Sequence, residues 1–431
     1  MNPPNILYLH SHDTGRYIQP YGHAVPTPHL QRLAEQGVLF RQAFCAAPTC
    51  SPSRAALLTG QCAHSSGMIG LAHRGFRLHD YRQHLVHTLR SAGYRSTLIG
   101  VQHVAPDPAM IGYDEVIPAH PAERTASNAV EFLRRASAAQ PFFLSVGFTN
   151  THRPFPTPAP EDDPRYTMPP APLPDTPETR TDMAAFHTSA RMLDRDMGAV
   201  LDALEENGLA ENTLVICTTD HGIAFPGMKC NLTDHGIGVM LIMRGPGGFT
   251  GGRVCDALVS QVDIFPTLCD LLGIAPPAWL QGRSFLPVIR GEAAQMRDEL
   301  YAEVTYHAAY EPQRAVRTQR WKYIRRFGDT ATPVLPNCDD SPSKDVWLAH
   351  GWRTRPVPAE QLYDLAFDPQ ETCNLADNPA HVTTLEDMRA RLLAWMRATD
   401  DPLLSGPVPA PRGAQVNDPH GLSPQEPVVQ Y

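Results

Sequence analysis

Short runs of apolar residues alternate with longer amphipathic stretches along most of this chain. The runs predict buried strands at 5–10, 95–100, 142–148, 213–218 and 239–243. Between them, the 3.6-residue period and its punctuation predict helices at 28–37, 53–58, 181–208 and 263–272, the first capped by Thr27 and begun by Pro28. Strands that alternate with helices predict an α/β domain, in which helices cover both faces of a mainly parallel sheet.

The pattern changes after Gly291. Segments 314–316 and 321–324 alternate between apolar and polar residues, as antiparallel strands do, and 383–399 is an amphipathic helical stretch. We therefore expect an α/β catalytic domain at 1–295 and a smaller α+β domain at 296–401, built from an antiparallel sheet and a helix. Proline-rich segments predict an irregular loop near a site entrance at 154–180 and an extended tail at 402–431.

Composition narrows the class of protein. The chain has 431 residues, 42% of them hydrophobic and 19% charged, and it has no apolar run long enough to span a membrane. A net charge of −9 without a basic block argues against a nucleic-acid partner. The nine cysteines are scattered without a C-x-x-C pair, and no secretory signal is evident, so we expect a cytoplasmic protein. A homo-oligomer stays open, because the tail could wrap a neighbouring subunit.

The most specific motif is C-x-P-S-R-x-x-L-L-T-G, which begins at Cys50 and ends at Gly60. Pro52 suits the first helical turn, where its missing N–H costs no hydrogen bond. The motif therefore places Cys50 at a helix N-terminus, where free N–H groups favour an oxyanion or a bound sulfate. Arg54 is one turn further on. The alternative interpretation is a buried cysteine before an ordinary helix.

Two predicted strands end in Asp/His pairs. The first runs into His12 and Asp13, and the fourth runs into Asp220 and His221. Catalytic groups in open parallel sheets collect beyond the carboxyl ends of the strands, so these pairs could hold one divalent cation. Either pair alone could equally cap a turn. Both together, beside the Cys50 motif, favour a metal site.

The Cys50 motif resembles the signature of the sulfatases, which belong to the alkaline-phosphatase-like superfamily. Further likeness extends over 27–30, 39–44, 64–68 and 360–375. The resemblance implies an alkaline-phosphatase-like α/β domain followed by a four-stranded sheet with a helix. It also implies that Cys50 is oxidised to formylglycine (3-oxoalanine) by a formylglycine-generating enzyme. One hydroxyl of the aldehyde hydrate attacks the ester, and the other expels the product.

The same resemblance implies roles for individual residues. It places the divalent metal on His12, Asp13, Asp220 and His221, with Cys50 beside it. It makes Arg54 the partner of the nucleophile, His103 the acceptor of the hydrate's proton, His152 the donor to the leaving group, and Lys229 the cation that grips the sulfate. Taken singly, His103 and His152 would be ordinary surface or core histidines, and Lys229 a solvated lysine.

The chain departs from the usual sulfatase pattern at three positions. His12 and His221 stand where Asp and Asn are usual, and Val101 replaces a lysine of the sulfate cradle. Imidazole is a poor ligand for calcium and a good one for transition metals, so we expect manganese, with calcium as the alternative. A second Asp-His-Gly at 234–236 is expected to be a structural turn.

Three functions follow as hypotheses. The first is a metal-dependent hydrolase of sulfate esters or sulfamates, acting on a small anionic sulfated substrate. The second uses the same scaffold for phosphonate monoesters or phosphodiesters, which His221 and Val101 favour. The third is a catalytically silent sugar-sulfate binder whose Cys50 remains a thiol.

Overall fold

A computed structural model describes residues 3–118, 124–137 and 140–431. Its strands are β1 Asn5–Ser11, β2 Val38–Phe40, β3 Ala43–Phe44, β4 Arg95–Gly100, β5 Glu115–Ile117, β6 Phe142–Gly147, β7 Thr213–Thr219, β8 Leu241–Arg244, β9 Arg253–Cys255, β10 Val259–Ser260, β11 Glu299–Tyr306, β12 Tyr310–Thr318, β13 Trp321–Arg326, β14 Glu360–Asp364, β15 Gln415–Asn417 and β16 Val428–Gln430. Its α-helices are α1 Pro28–Gln36, α2 Cys50–Thr59, α3 Ala63–Ser66, α4 Leu85–Ser91, α5 Arg124–Arg135, α6 Pro177–Glu206, α7 Asp234–Ile237, α8 Ile264–Leu272, α9 Leu286–Ile289, α10 Pro342–Ala349 and α11 Val382–Ala398.

The central sheet has eight strands in the order β5-β4-β6-β1-β7-β8-β2-β9. Every neighbouring pair in it is parallel except the two that involve β8, which runs antiparallel to both β7 and β2. The prediction of a mainly parallel α/β sheet is confirmed. An apolar run specifies burial but not direction, so the sequence could not show that β8 is reversed.

Helices cover both faces of this sheet, and β1 shows why. Its side chains alternate, so Leu7 and Leu9 face one layer while Ile6 and Tyr8 face the other. The first layer is a hydrophobic cluster with side chains from α1, α5 and α6. The second is a cluster with side chains from α2, α4 and α8. Strands buried on both faces read as continuous apolar runs, which is what the sequence shows.

The C-terminal sheet is antiparallel, in the order β11-β12-β13-β14, as expected from the alternation. One face packs on α11 through Leu385, Met388, Leu392 and Met396. The other face joins the cluster that includes α2, through residues such as Leu300 and Val304. The two sheets are thus held together by a shared apolar core.

The longest helix begins earlier than expected. The helix expected from Thr181 begins at Pro177, because Thr176 caps it and exchanges hydrogen bonds with Thr179. The proline-rich loop therefore ends earlier than expected.

The tail at 402–431 folds back on its own chain, where β15 and β16 form an antiparallel pair. Arg74 donates to the side chain of Asn417 and to the carbonyl of Pro424, at 2.7 and 3.2 Å. Strands this short carry no readable period. None of the helices in the described residues is long and apolar enough to cross a membrane.

Candidate active site

The N-terminus of α2 delivers Cys50. It is the first residue of the helix and is 2% exposed, with the extended Thr49 before it. Pro52 lies in the first turn, where backbone N–H groups have no intrahelical partner, so the helix loses nothing to the ring. The free N–H groups and the positive end of the helix dipole lie at the residue expected to carry the nucleophile.

The two Asp/His pairs lie side by side, because β1 and β7 are adjacent parallel strands. Their register pairs Ser11 with Thr219, so both strands end at the same edge of the sheet. The backbone N–H of Asp13 donates to Asp220 Oδ1 at 2.8 Å. His221 Nε2 lies 3.4 Å from Asp13 Oδ1 and 3.4 Å from Cys50 Sγ. The structure thus brings all five predicted metal-site residues together.

This cluster fits a cation. Donor atoms of His12, Asp13, Cys50 and Asp220 all lie within 4.8 Å of one another. His12 Nδ1 and Asp13 Oδ1 are buried, and neither has a hydrogen-bond partner among the described residues. His12 Nδ1 lies 3.2 Å from Asp220 Oδ2, close enough for both atoms to ligate one cation. Buried polar atoms are rarely left unpaired, so convergent orphan donors suit a metal ion.

Charge at the site supports the same conclusion. Burial opposes ionisation of Asp220, but His221 and Arg54 hold its pKa well below the ordinary value. Burial and the Arg54 charge lower the pKa of His12 to about 4, so its imidazole is neutral at physiological pH. Neutral imidazole and ionised carboxylate are the forms that ligate metals.

Two cations flank the cluster. Arg54 Nη2 donates to Asp220 Oδ2 at 3.0 Å and to the carbonyl of Ser11 at 2.7 Å. Lys229 Nζ donates to Asp13 Oδ2 at 2.9 Å and to Asp339 Oδ2 at 3.0 Å. Burial would lower the pKa of Lys229, but Asp13 and Asp339 raise it well above the ordinary value, so it stays charged.

Both predicted catalytic histidines lie at the rim. The ring centroids of His103 and His152 are 5.8 and 5.4 Å from that of His12. A nitrogen of His103 lies within 4.8 Å of Cys50 Sγ. His152 Nδ1 donates to the carbonyl of Arg153 at 2.5 Å, which leaves Nε2 as the nitrogen able to exchange a proton with a ligand.

Sequence reasoning missed two neighbours of these residues. His73 Nδ1 lies 2.8 Å from His103 Nε2, with the two rings stacked at 5.0 Å. Asp339 is the second carboxylate on Lys229. Neither follows a strand of the central sheet or belongs to a recognised motif, so no local signal marked them.

The second Asp-His-Gly lies in α7 and takes part in a different set of contacts. Asp234 accepts from Arg317 Nη2 at 3.0 Å and from Lys322 Nζ at 2.5 Å, both on the C-terminal sheet. These ion pairs tie α7 to the C-terminal sheet and support the structural interpretation of this segment.

Comparison with known proteins shows the family. The profile described as Sulfatase matches residues 4–274, and that described as N-sulphoglucosamine sulphohydrolase, C-terminal, matches 228–345. The chain belongs to the sulfatase family. The family resemblance inferred from the Cys50 motif is therefore confirmed, as is the prediction of an enzyme: this sulfatase is a sulfuric ester hydrolase.

Individual relatives of this sulfatase include N-sulphoglucosamine sulphohydrolase of Homo sapiens, 32% identical over 94% of this chain and 92% of the relative. An ulvan-active sulfatase of Formosa agariphila is 30% identical over 92% of this chain and 75% of the relative. Both relatives thus match this chain over more than nine-tenths of its length.

Solved structures confirm the fold of this sulfatase. A 2-O GAG sulfatase superposes with a TM-score of 0.74 at 23% identity, covering 95% of each chain. A phosphonate monoester hydrolase of Agrobacterium radiobacter superposes with a TM-score of 0.72 at 22% identity, covering 93% of this chain and 97% of the other. A sulfatase and a phosphonate monoester hydrolase therefore both have this alkaline-phosphatase-like fold.

Proposed function

We propose that this sulfatase cleaves sulfate esters or sulfamates with a formylglycine nucleophile made from Cys50, beside one divalent metal ion. The observation that carries the proposal is the convergence of three chain segments on one point. Donor atoms from the ends of β1 and β7 meet the first residue of α2 within 4.8 Å. The proposed reaction needs a nucleophile and a cation at the same place, and this convergence supports both assignments.

His12, Asp13, Asp220 and His221 would hold the metal, with residue 50 beside it. When bound, the ion polarises the sulfuryl group and lowers the pKa of the attacking hydroxyl. Two imidazoles among these donors favour manganese over calcium. Their buried, unpaired atoms His12 Nδ1 and Asp13 Oδ1 support the assignment of the site.

The remaining residues stabilise charge and move protons. Arg54 and Lys229, both buried and charged, would hold the nucleophile and the sulfuryl oxygens against the α2 N-terminus. His103, within reach of residue 50, would take the proton released when the product leaves. His152 would protonate the leaving oxygen or nitrogen through Nε2, since its Nδ1 is committed to the Arg153 carbonyl.

The substrate class proposed is a small sulfated molecule. The similarity to human N-sulphoglucosamine sulphohydrolase over 94% of this chain supports including sulfamates. Maturation would require a formylglycine-generating enzyme in the same compartment, and a cytoplasmic location stays a prediction.

A substrate panel tests the proposal. Purified protein from a host that installs formylglycine is assayed on an aryl sulfate, N-sulfoglucosamine and a phosphonate monoester. Peptide mass mapping shows whether residue 50 carries the aldehyde. We expect hydrolysis of at least one sulfated substrate, abolished by Cys50→Ala and by chelation but not by Cys373→Ser, a matched change at an exposed cysteine. Full turnover by Cys50→Ala would overturn the nucleophile.

A phosphonate monoester or phosphodiester hydrolase is the second candidate. It is favoured by His221 in the second metal pair and by Val101 where a lysine would add a cation to the sulfate cradle. Higher kcat/KM on the phosphonate than on every sulfated substrate would establish this alternative and reject the first.

A further inference from the structure

A second cluster of reactive side chains lies beyond the other end of α2. This helix has ten residues, and Cys50 begins it. At 1.5 Å of rise per residue the helix is about 15 Å long, and Cys62 follows its C-terminus as the N-cap of α3, with 6% of its surface exposed. Cys62 Sγ lies 3.5 Å from His64 Nε2, and Glu303 Oε1 lies 3.0 Å from His64 Nδ1. A thiol, an imidazole and a carboxylate thus form a chain of contacts.

This cluster is not arranged as a metal site. Glu303 accepts from both the backbone N–H and the ring of His64, and it is ion-paired with Arg314 at 3.3 Å. A carboxylate engaged in this way has no free oxygen to turn toward a cation, and the guanidinium would repel one. Instead, Glu303 orients the imidazole toward the thiol, which is the arrangement that activates a nucleophile.

A charged ring at His64 faces the Cys62 thiol. Burial opposes a charge on the ring, but Glu303 raises the pKa of His64 well above its ordinary value. The imidazolium donates Nδ1–H to Glu303 and offers Nε2–H to Cys62. An adjacent imidazolium is one of the environments that make a cysteine reactive.

Cys62 also lines a cavity of about 510 Å³ formed between α3, the 281–283 segment, β11 and α11. Its wall carries three arginines, Arg283, Arg297 and Arg391, and two carboxylates, Asp298 and Glu299. Arg297 and Arg391 are ion-paired with Asp263 and Glu299. Arg283 has no ion pair within the described part of the chain and is exposed, so its charge is available to an anionic ligand.

We propose that Cys62 is a modification site, separate from the sulfatase centre, that exchanges with small anionic disulfides of the glutathione type. The Cys62 sulfur attacks one sulfur of the disulfide, and a new S–S bond forms as the old one breaks. One half stays on Cys62 as a mixed disulfide. The other leaves as a thiolate and takes up the proton that the Cys62 thiol gives up, so the charges and protons balance.

Oxidised glutathione is the probe for the test. The full-length, reduced protein is incubated with it at neutral pH, and peptide mass mapping follows each cysteine over time. Cys373 is the internal control, because it is exposed and its contact with Asp368 is made by the backbone N–H rather than by the thiol. We expect Cys62 to form the mixed disulfide at least about tenfold faster than Cys373. Equal or slower reaction at Cys62 would overturn the proposal.

A second measurement tests the cavity without disturbing the buried cluster. Arg283→Gln is compared with Arg353→Gln, a matched change at an exposed arginine outside the cavity. We expect Arg283→Gln to slow modification of Cys62 by oxidised glutathione about threefold, and not by the neutral 2-hydroxyethyl disulfide. Indistinguishable rates for the two variants would reject the cavity as the anion-binding surface.

Discussion

The catalytic cluster and a second buried cluster of charged residues differ in their hydrogen bonding. In the catalytic cluster, His12 Nδ1 and Asp13 Oδ1 lie close to charged groups but have no well-aligned hydrogen bond within the described residues. In the Arg314 cluster, formed by His64, Glu303, Arg314 and Asp401, every side-chain N and O is paired within that same part of the chain.

The difference separates a binding site from a structural link. Arg314 contacts Asp401 through Nε and Nη2, at 2.5 and 3.0 Å, and donates to the carbonyl of Val304 at 2.9 Å. Through His64, the cluster ties α3 to the C-terminal sheet. A buried network whose polar atoms are all hydrogen-bonded stabilises the segments that it links. Buried polar atoms without hydrogen bonds, clustered together, are instead typical of a binding site.

The largest expected effect comes from removing a metal ligand. Asp220→Asn should lower kcat/KM by at least about 100-fold, since loss of an outer-shell partner alone typically costs 10–100-fold. The thermal midpoint should fall as well, because Arg54 is left buried without its carboxylate. Steady-state kinetics, metal analysis by mass spectrometry and thermal unfolding check these outcomes.

The matched control for that variant is Asp202→Asn, at an exposed carboxylate paired with Arg32 on the surface of α6. It should leave activity and metal content unchanged. Equal losses in the two variants would show that the catalytic cluster has no special role.

Breaking the Arg314 cluster should cost stability first. Arg314→Met leaves Glu303 and Asp401 buried without their cation, and removing one partner of a buried pair costs about 3–5 kcal/mol. Urea unfolding followed by fluorescence measures the loss. A variant as stable as the wild type would mean that the cluster does not hold the two sheets together.

Acid should weaken the same cluster. Burial alone would raise the pKa of Glu303, but His64 and Arg314 lower it from 4.5 to about 2. A depressed carboxyl pKa stabilises the fold above the unfolded-state value, and this stabilisation is lost as pH falls from about 4.5 toward 2. Thermal midpoints measured across this range should fall less steeply for Glu303→Gln than for the wild type. If the thermal midpoints of the two proteins fell equally steeply, Glu303 would not be the group that makes the cluster sensitive to acid.

The smallest effect is expected at an exposed pair. Arg389 and Glu360 are ion-paired, with side chains 43% and 29% exposed. Because solvent screens such pairs, Arg389→Met should cost under about 1 kcal/mol by the same urea assay. A loss as large as that of Arg314→Met would remove the distinction between buried and exposed pairs.

The strands of the central sheet and the residues at their ends could be predicted from local sequence patterns. The apolar runs located β1, β4, β6 and β7 to within one residue at each end, because strands buried on both faces have an unmistakable composition. The strand ends and the Cys50 motif then located the residues that the structure brings together.

Contacts between distant segments were not predictable in this way. Asp339 meets Lys229 across 110 residues, and His73 meets His103 through their loops. The direction of β8 and the pairing of β15 with β16 depend on tertiary packing. No periodicity within a single segment carries that information.

The burial of Cys50 sets an order of events in the life of the chain. At 2% exposure and inside the first turn of a packed helix, its side chain is closed to another protein once folding is complete. An enzyme that converts it must therefore act while this segment is still extended. If Cys50 is converted as proposed, the yield of active molecules would depend on whether conversion or folding is faster, and slower synthesis or more of the converting enzyme would raise it.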